Sequence, residues 1–499
     1  MKVNSIKTLK QLKKSGWQSK TVKQELRNNL IQRIKNKQPV FEGIVGFDNT
    51  VLPDMERAIL SNHNILLLGL RGQAKTRIAR LMVNLLDEYI PVVAGSELND
   101  DPLKPLSTYA KDTIAEKGDN TPVEWLHRTN RYVEKLATPD VSVADLIGDV
   151  DPIKAANLRL SYADERVIHF GLVPRAHRCI FAINELPDLQ PRIQVALFNI
   201  LQEGDIQIRG FNLRLPLDIQ FVFTANPEDY TNRGSIVTPL KDRIESQILT
   251  HYPSSIEISK IISRQEARVN DTQKAIVKVP ELIEDLIEEI AFVARESEYV
   301  DEKSGVSARL TITARENLFS TAERRCLINQ EKKTTARISD LSGAVPAITG
   351  KIELVYEGEQ EGPFLVAIQL IGKAIRKQFT NYFPDPESFK KRKQANPYQK
   401  IIDWFAKDNV IDFYNDITNE HYKKTMFLIP GLSEIVETYQ PKRSVEEKLL
   451  LMEFLLHGLA EYSLVGKNLI RAGYQFKDLF GSMFSLDSEG DENFEDEYL

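Results

Sequence analysis

The chain has 499 residues, with 65 Lys and Arg against 71 Asp and Glu, a formal net charge of −6 and 42% hydrophobic residues. That balance is expected of a soluble globular protein of two to four domains, and no apolar run approaches the ~20 residues a membrane helix needs. Cys179 and Cys326 stand in no paired motif, which excludes a disulfide framework and suits a reducing, cytoplasmic setting, and seven scattered histidines form no zinc pattern.

Residues 1–40 hold eleven Lys and Arg and one acid, Glu25, without the apolar stretch of a signal peptide. Within them "WQSKTVKQELRNNLIQRIKN" repeats apolar residues at helical spacing, and Pro39 ends the pattern. The plain reading is an amphipathic helix with a solvated basic face. "FEGIVGFDNTVLPDMERAIL" is a glycine-containing turn and a helix, "NILLLGL" a buried strand, and "GQAKTRIARLMVNLLDEY" a helix directly behind it. From Pro91 to about Arg175 the pattern is irregular. "CIFAINEL" is a second strand, "PRIQVALFNILQEG" a helix, "DIQIRGFNLRLPLDIQ" a hairpin around Gly210, and "FVFTANP" a third strand. After Tyr252 strands mostly disappear and helices follow, with residues 365–480 mostly helical and "FPDPESFKKRKQANP" an exposed linker. The tail "DSEGDENFEDEYL" carries seven acids and no base and is expected to be disordered. Strand–helix alternation followed by helices predicts an α/β nucleotide-binding domain with a helical domain behind it.

The chemistry starts at "GLRGQAKT", Gly69 to Thr76, between that first strand and its helix. The phosphate-loop pattern is G-x4-G-K-[ST], and Ala74 stands where its last glycine belongs. Alanine is expected to fit there if the position needs a negative φ. Backbone N–H groups at the helix N-terminus would cradle phosphate oxygens, Lys75 would reach the β- and γ-phosphates, and Thr76 would place its hydroxyl on Mg²⁺. About 110 residues on, the second strand ends in Asn184-Glu185 where such sites carry Asp-Glu. Glu185 keeps the carboxylate that polarises the attacking water. Asn184 can still accept a hydrogen bond from metal-bound water, so the expectation is weaker Mg²⁺ binding and slower hydrolysis, with Asn184→Asp raising Mg²⁺ affinity. Asn226, ending the third strand, is placed to hold the attacking water. Arg243 in "TPLKDRIES" suits a finger reaching a neighbouring subunit's phosphate. Arg309 in "GVSARLT" is the candidate lid arginine, with Arg315 the competitor.

With these pieces the chain resembles an AAA+ ATPase of the branch containing MoxR-type ATPases and the I subunit of magnesium chelatase. "GLRGQAKT" is similar to the MoxR loop, including its alanine, and "PRAHRCIFAINELPDL" to the chelatase stretch. "ATPDVSVADLIGD" matches the place of the helix-2 insert, and "EGDIQIRGFNLRLPLDIQFVFTANPED" the hairpin and strand that follow. The resemblance covers about residues 40–375, and its main departure is Asn184. It implies a P-loop AAA+ core with a parallel sheet, an α-helical lid and a helical C-terminal extension. The domains would be a basic helical N-terminal extension (1–40), the AAA+ core (41–252), the lid (253–375), the extension (376–486) and the acidic tail (487–499).

ATP and Mg²⁺ would be bound through Gly46 at the adenine and Gly69, Gly72, Gln73, Ala74, Lys75, Thr76 and Arg77 at the phosphates, with Thr76 and, through water, Asn184 at the metal. The resemblance further implies a homo-oligomeric ring, usually a hexamer, and a separate partner carrying a von Willebrand factor A domain. Three functions follow: an ATP-driven remodeller of a protein partner, a magnesium chelatase motor subunit, or a nucleotide-gated scaffold that hydrolyses little. Nucleic-acid binding rests on the basic N-terminus alone and ranks last.

Overall fold

The computed structural model describes residues 5–161, 165–208, 214–227, 235–390, 396–471 and 473–479. It divides into two compact units, Met1–Tyr252 and Pro253–Leu499.

The N-terminal unit is built on strands β1 (Ile65–Leu68), β2 (Tyr89–Val93), β3 (Val123–His127), β4 (Tyr132–Leu136), β5 (Gly148–Val150), β6 (Ile168–Phe170), β7 (Cys179–Asn184), β8 (Asp205–Gln207), β9 (Arg214–Pro216), β10 (Ile219–Ala225) and β11 (Ser246–Leu249). Five of them form one parallel sheet in the order β11-β1-β10-β7-β4. Strands β1, β7 and β10 are buried along their whole length, because both faces of a parallel sheet are covered. On one face Val22, Leu26 and Leu30 of helix Val22–Lys35 pack with Ile65, Leu67, Ile180 and Val222. The basic helix therefore keeps only part of its surface in water. Its Glu25 forms an ion pair with Arg131 at 2.7 Å, both side chains buried.

The parallel register brings Leu68, Ala225 and Asn184 to the same edge of the sheet: Leu68 pairs with Ala225, and Asn184 with Leu136. Ligands of parallel α/β sheets bind at this carboxyl edge, where the strand order reverses. Here the reversal falls beside β1. The P-loop α/β fold expected from the sequence is thus present.

The stretch expected to be irregular is not. It holds β4 of the main sheet, the antiparallel pair β2–β3 and the small pair β5–β6. The expected hairpin pairs as β8–β9, Asp205 opposite Pro216, with its centre at Gly210 outside the described residues.

The C-terminal unit is mainly helical. Its longest helices, Glu281–Arg295, Arg309–Ile328, Pro363–Phe379 and Val445–Glu461, share one hydrophobic core that runs from Leu282 to Phe476. A parallel pair, β12 (Val277–Lys278) with β13 (Thr334–Thr335), lies in the same unit. The extension also departs from the helical expectation. Strands β14 (Ile411–Tyr414), β15 (Gly466–Ile470) and β16 (Gly473–Lys477) form an antiparallel sheet in the order β14-β16-β15. The reason is side-chain alternation: Ile411 and Phe413 face inward, as do Tyr474 and Phe476, and the rings of Phe413 and Phe476 meet edge-on at 5.8 Å. The expected exposed linker is partly packed as well, since its Phe383 is buried and its Pro384 carbonyl accepts from the hydroxyl of buried Tyr398, just beyond it, at 2.5 Å. No helix among the described residues is long and apolar enough to cross a membrane. The acidic tail lies outside the described residues.

Candidate active site

Beyond Leu68 the chain turns at Gly69, where a Cβ would stand 2.0 Å from Thr250 Oγ1 and 2.2 Å from Gln73 Oε1. Only glycine fits. Thr250 closes this floor by donating to Gln73 Oε1 at 2.6 Å, which holds the Gln73 side chain against the base of the loop. Gly72 has φ +73°. Ala74 has φ +56° and ψ +14°, so the condition under which alanine was expected to fit, a negative φ, is not met. It is an alanine in a left-handed conformation that glycine adopts at no steric cost. Helix Lys75–Leu81 starts at the next residue, and Arg77 sits half-buried in its first turn.

Lys75 is buried, and its ammonium donates to the Gly69 carbonyl, to the Leu70 carbonyl at 2.9 Å and to Asn226 Oδ1 at 2.7 Å. Asn226 in turn donates from Nδ2 to Glu185 Oε2 at 2.9 Å. An ammonium only donates and a carboxylate only accepts, so the two neighbours fix which way the Asn226 amide points. Glu185 is itself left-handed, φ +55° and ψ +51°, with its N–H on Thr224 Oγ1 at 3.2 Å. A non-glycine residue held in that region is a local strain of the kind that clusters at functional sites.

A second path leaves the loop through Thr76, whose hydroxyl donates to Asn184 Oδ1 at 3.3 Å. Thr224 donates to the same oxygen at 3.1 Å. Asn184 Nδ2 donates to Glu134 Oε1 on β4 at 2.5 Å. Glu134 is held by Arg80, from the helix behind the loop, at 2.8 and 3.1 Å.

Lys75, Thr76, Asn184, Glu185 and Asn226 are therefore brought into one network at the carboxyl edge of the sheet. A loop crowded against Gly69, a donor-only lysine and oxygen donors beside a threonine hydroxyl suit an oxyanion with a hard divalent cation. The other candidates lie apart from this network. Gly46 has φ +82° in the turn before helix Val51–Leu60; the neighbouring Phe47 ring meets His251 at 4.9 Å, and Tyr252 donates to the Arg71 carbonyl at 3.1 Å. Arg243 caps helix Thr238–Asp242, donating to Gln202 Oε1 at 3.0 Å and the Pro239 carbonyl at 2.7 Å, over the Phe198 ring.

Arg309 and Arg315 belong to the other unit. Arg309 opens helix Arg309–Ile328 with an exposed side chain, whereas Arg315 is engaged in an ion pair with Glu284 at 2.7 Å. Sequence patterns did not point to Glu134, Thr224 or Thr250. The strand-prone Tyr132 and Val133 of "YVEKL" are the one signal that could have placed Glu134 on a strand.

No family model matches the chain. Among solved structures it is similar to a Cytophaga hutchinsonii protein assigned as an ATPase, at 18% identity over 71% of this chain and 96% of that one, with a TM-score of 0.29. It is also similar to a chain of the complex between subunits BchI and BchD of magnesium chelatase, at 19% identity over 64% and 98%, with a TM-score of 0.34. A third likeness is to NtrX from Brucella abortus, at 14% identity and a TM-score of 0.33, over 58% of this chain and 54% of NtrX. The chain thus spans about half the length of NtrX, which has also been solved in complex with ATP and with ADP.

Proposed function

We propose that this chain is an AAA+ ATPase of the MoxR and magnesium chelatase I-like branch, which binds and hydrolyses ATP in an oligomeric ring to remodel or activate a protein partner. The observation that carries the reading is the unbroken hydrogen-bond path from Lys75 through Asn226 to Glu185. It joins the group suited to hold a γ-phosphate to the group suited to polarise water.

In this reading the loop N–H groups from Gly69 to Thr76 and the Lys75 ammonium hold the phosphates, with Arg77 behind them and Gly46 at the base. Thr76 and, through water, Asn184 hold Mg²⁺, which when bound neutralises charge developing on the phosphates. Glu185 accepts the proton of the attacking water, and Asn226 keeps its carboxylate aimed. Arg243 serves the neighbouring subunit's site, and Arg309, in the lid assigned to residues 253–375, serves its own chain's nucleotide. Glu284 engages Arg315, which supports Arg309 for that role. A hexameric ring, a cytoplasmic setting and a partner with a von Willebrand factor A domain complete the proposal.

The test is Glu185→Gln, whose amide cannot take the proton. It should still bind ATP while phosphate release falls at least ~100-fold, within the range of lost general-base catalysis. Hydrolysis at the wild-type rate would remove Glu185 from the mechanism. Asn184 favours a second reading, a nucleotide-gated scaffold. Wild-type chain that binds ATP but releases no phosphate would select it.

A further inference from the structure

The end of β7 lacks the carboxylate that its motif leads one to expect, yet a carboxylate stands beside it. Glu134 lies on β4, which pairs with β7 in parallel with Leu136 opposite Asn184. Two residues back from Leu136, Glu134 projects to the same side of the sheet as Asn184. The contact is Asn184 Nδ2 to Glu134 Oε1 at 2.5 Å. On its other side Asn184 Oδ1 takes the hydroxyls of Thr76 and Thr224.

An amide is ambivalent, since one end accepts and the other donates. Turned round, Asn184 would aim its NH₂ at Thr76, where a cation needs oxygen, and its oxygen at another oxygen. Glu134 only accepts, so it forbids that orientation. It is itself fixed by Arg80, which comes from the helix that begins at Lys75, and it is only partly exposed.

We propose that Glu134 is the positioning residue of the cation site: it locks Asn184 with its oxygen toward Thr76 and supplies, one side chain further out, the negative charge that Asn184 lacks. This rests on the reading of the loop as an Mg²⁺–nucleotide site. It reverses the expectation drawn from the sequence for Asn184→Asp. An aspartate at that position would put two acceptor-only carboxylates at hydrogen-bond distance with no donor between them. One must turn away.

The single change Asn184→Asp should therefore weaken the response to Mg²⁺. Glu134→Gln should weaken it too, because an amide at position 134 removes the charge and lets Asn184 point either way. Together they should restore it, since the amide introduced by Glu134→Gln can donate to the carboxylate introduced by Asn184→Asp. The expected size is about tenfold for each single change, the lower end of what outer partners of metal ligands contribute.

The experiment measures ATP affinity by calorimetry with and without Mg²⁺, and Mn²⁺ binding by electron paramagnetic resonance with a non-hydrolysable ATP analogue. The chains are wild type, Glu134→Gln, Asn184→Asp and the double variant, each checked for an unchanged thermal melt. The readout is the ratio of affinities with and without the cation, which cancels any loss of correctly folded protein. Two weakened singles and a double at or above wild type support the inference. Asn184→Asp tighter than wild type, or a double weaker than both singles, overturns it while leaving the loop reading intact. Wild-type chain that binds no ATP overturns both.

Discussion

Asn226 and Asn184 end adjacent strands of one sheet, and each amide is clamped between a donor and a carboxylate. The clamps differ in what they join. Asn226 ties Lys75 to Glu185, the two groups proposed to act on the nucleotide and on water. Asn184 ties the Thr76 hydroxyl to Glu134, a group that stands outside the loop and answers to Arg80. In the proposed reading the inner clamp couples phosphate to water, and the outer clamp couples the cation to the far side of the sheet. On that reading a neutral residue in place of an acid is tolerable at Asn184, because Glu134 stands one strand across, and not at Glu185, where the carboxylate itself would take a proton.

Replacing each asparagine by alanine should pull the two clamps apart. Asn226→Ala frees the Glu185 carboxylate, and misaligned reacting groups cost about a hundredfold, so turnover should fall by that order and excess Mg²⁺ should not recover it. Asn184→Ala should lose about tenfold in Mg²⁺ affinity and regain turnover when the cation is raised. Steady-state phosphate release across a Mg²⁺ titration distinguishes them. Recovery of Asn226→Ala by Mg²⁺, or no recovery of Asn184→Ala, would erase the difference between the two clamps.

The smallest effect is expected in the loop that both clamps share. Ala74 is held left-handed at about 1 kcal/mol of steric cost, part of which a glycine would give back in chain entropy. Ala74→Gly should then raise the melting temperature of the N-terminal unit by about 1–3 °C. A lower melting temperature in calorimetry would show that the alanine methyl contributes more by packing than it costs in conformation.

The inner clamp was the legible one. Lys75, Glu185 and Asn226 each follow a strand buried on both faces, and such strands read as continuous apolar runs that motifs can be counted from. The outer clamp depends on which strand lies beside which. Strand β4 sits at the sheet edge with partly buried residues, and "YVEKL" is short and shows neither an apolar run nor a period-two alternation, so the sequence does not single out Glu134. The φ of Ala74 was illegible for a different reason: a small residue is compatible with either sign, and the loop's closure decides. In the C-terminal unit β14, β15 and β16 are four or five residues each, and the long helices around them dominate the periodicity. Arg309 and Arg315 share one helix and one charge, and Glu284, from another helix, is what separates them.

All of this rests on a loop that holds a nucleoside triphosphate. The most direct measurement is a calorimetric titration of ATP with Mg²⁺ into the wild-type chain and into Lys75→Ala. The lysine is buried among carbonyls and an amide oxygen that a phosphate would replace, and no other side chain of the described loop supplies a buried positive charge there. Saturable binding to the wild type that falls by at least about a hundredfold in the variant, the loss of charge-assisted bonds to phosphate, is the predicted result. Equal affinity in the two chains would contradict it.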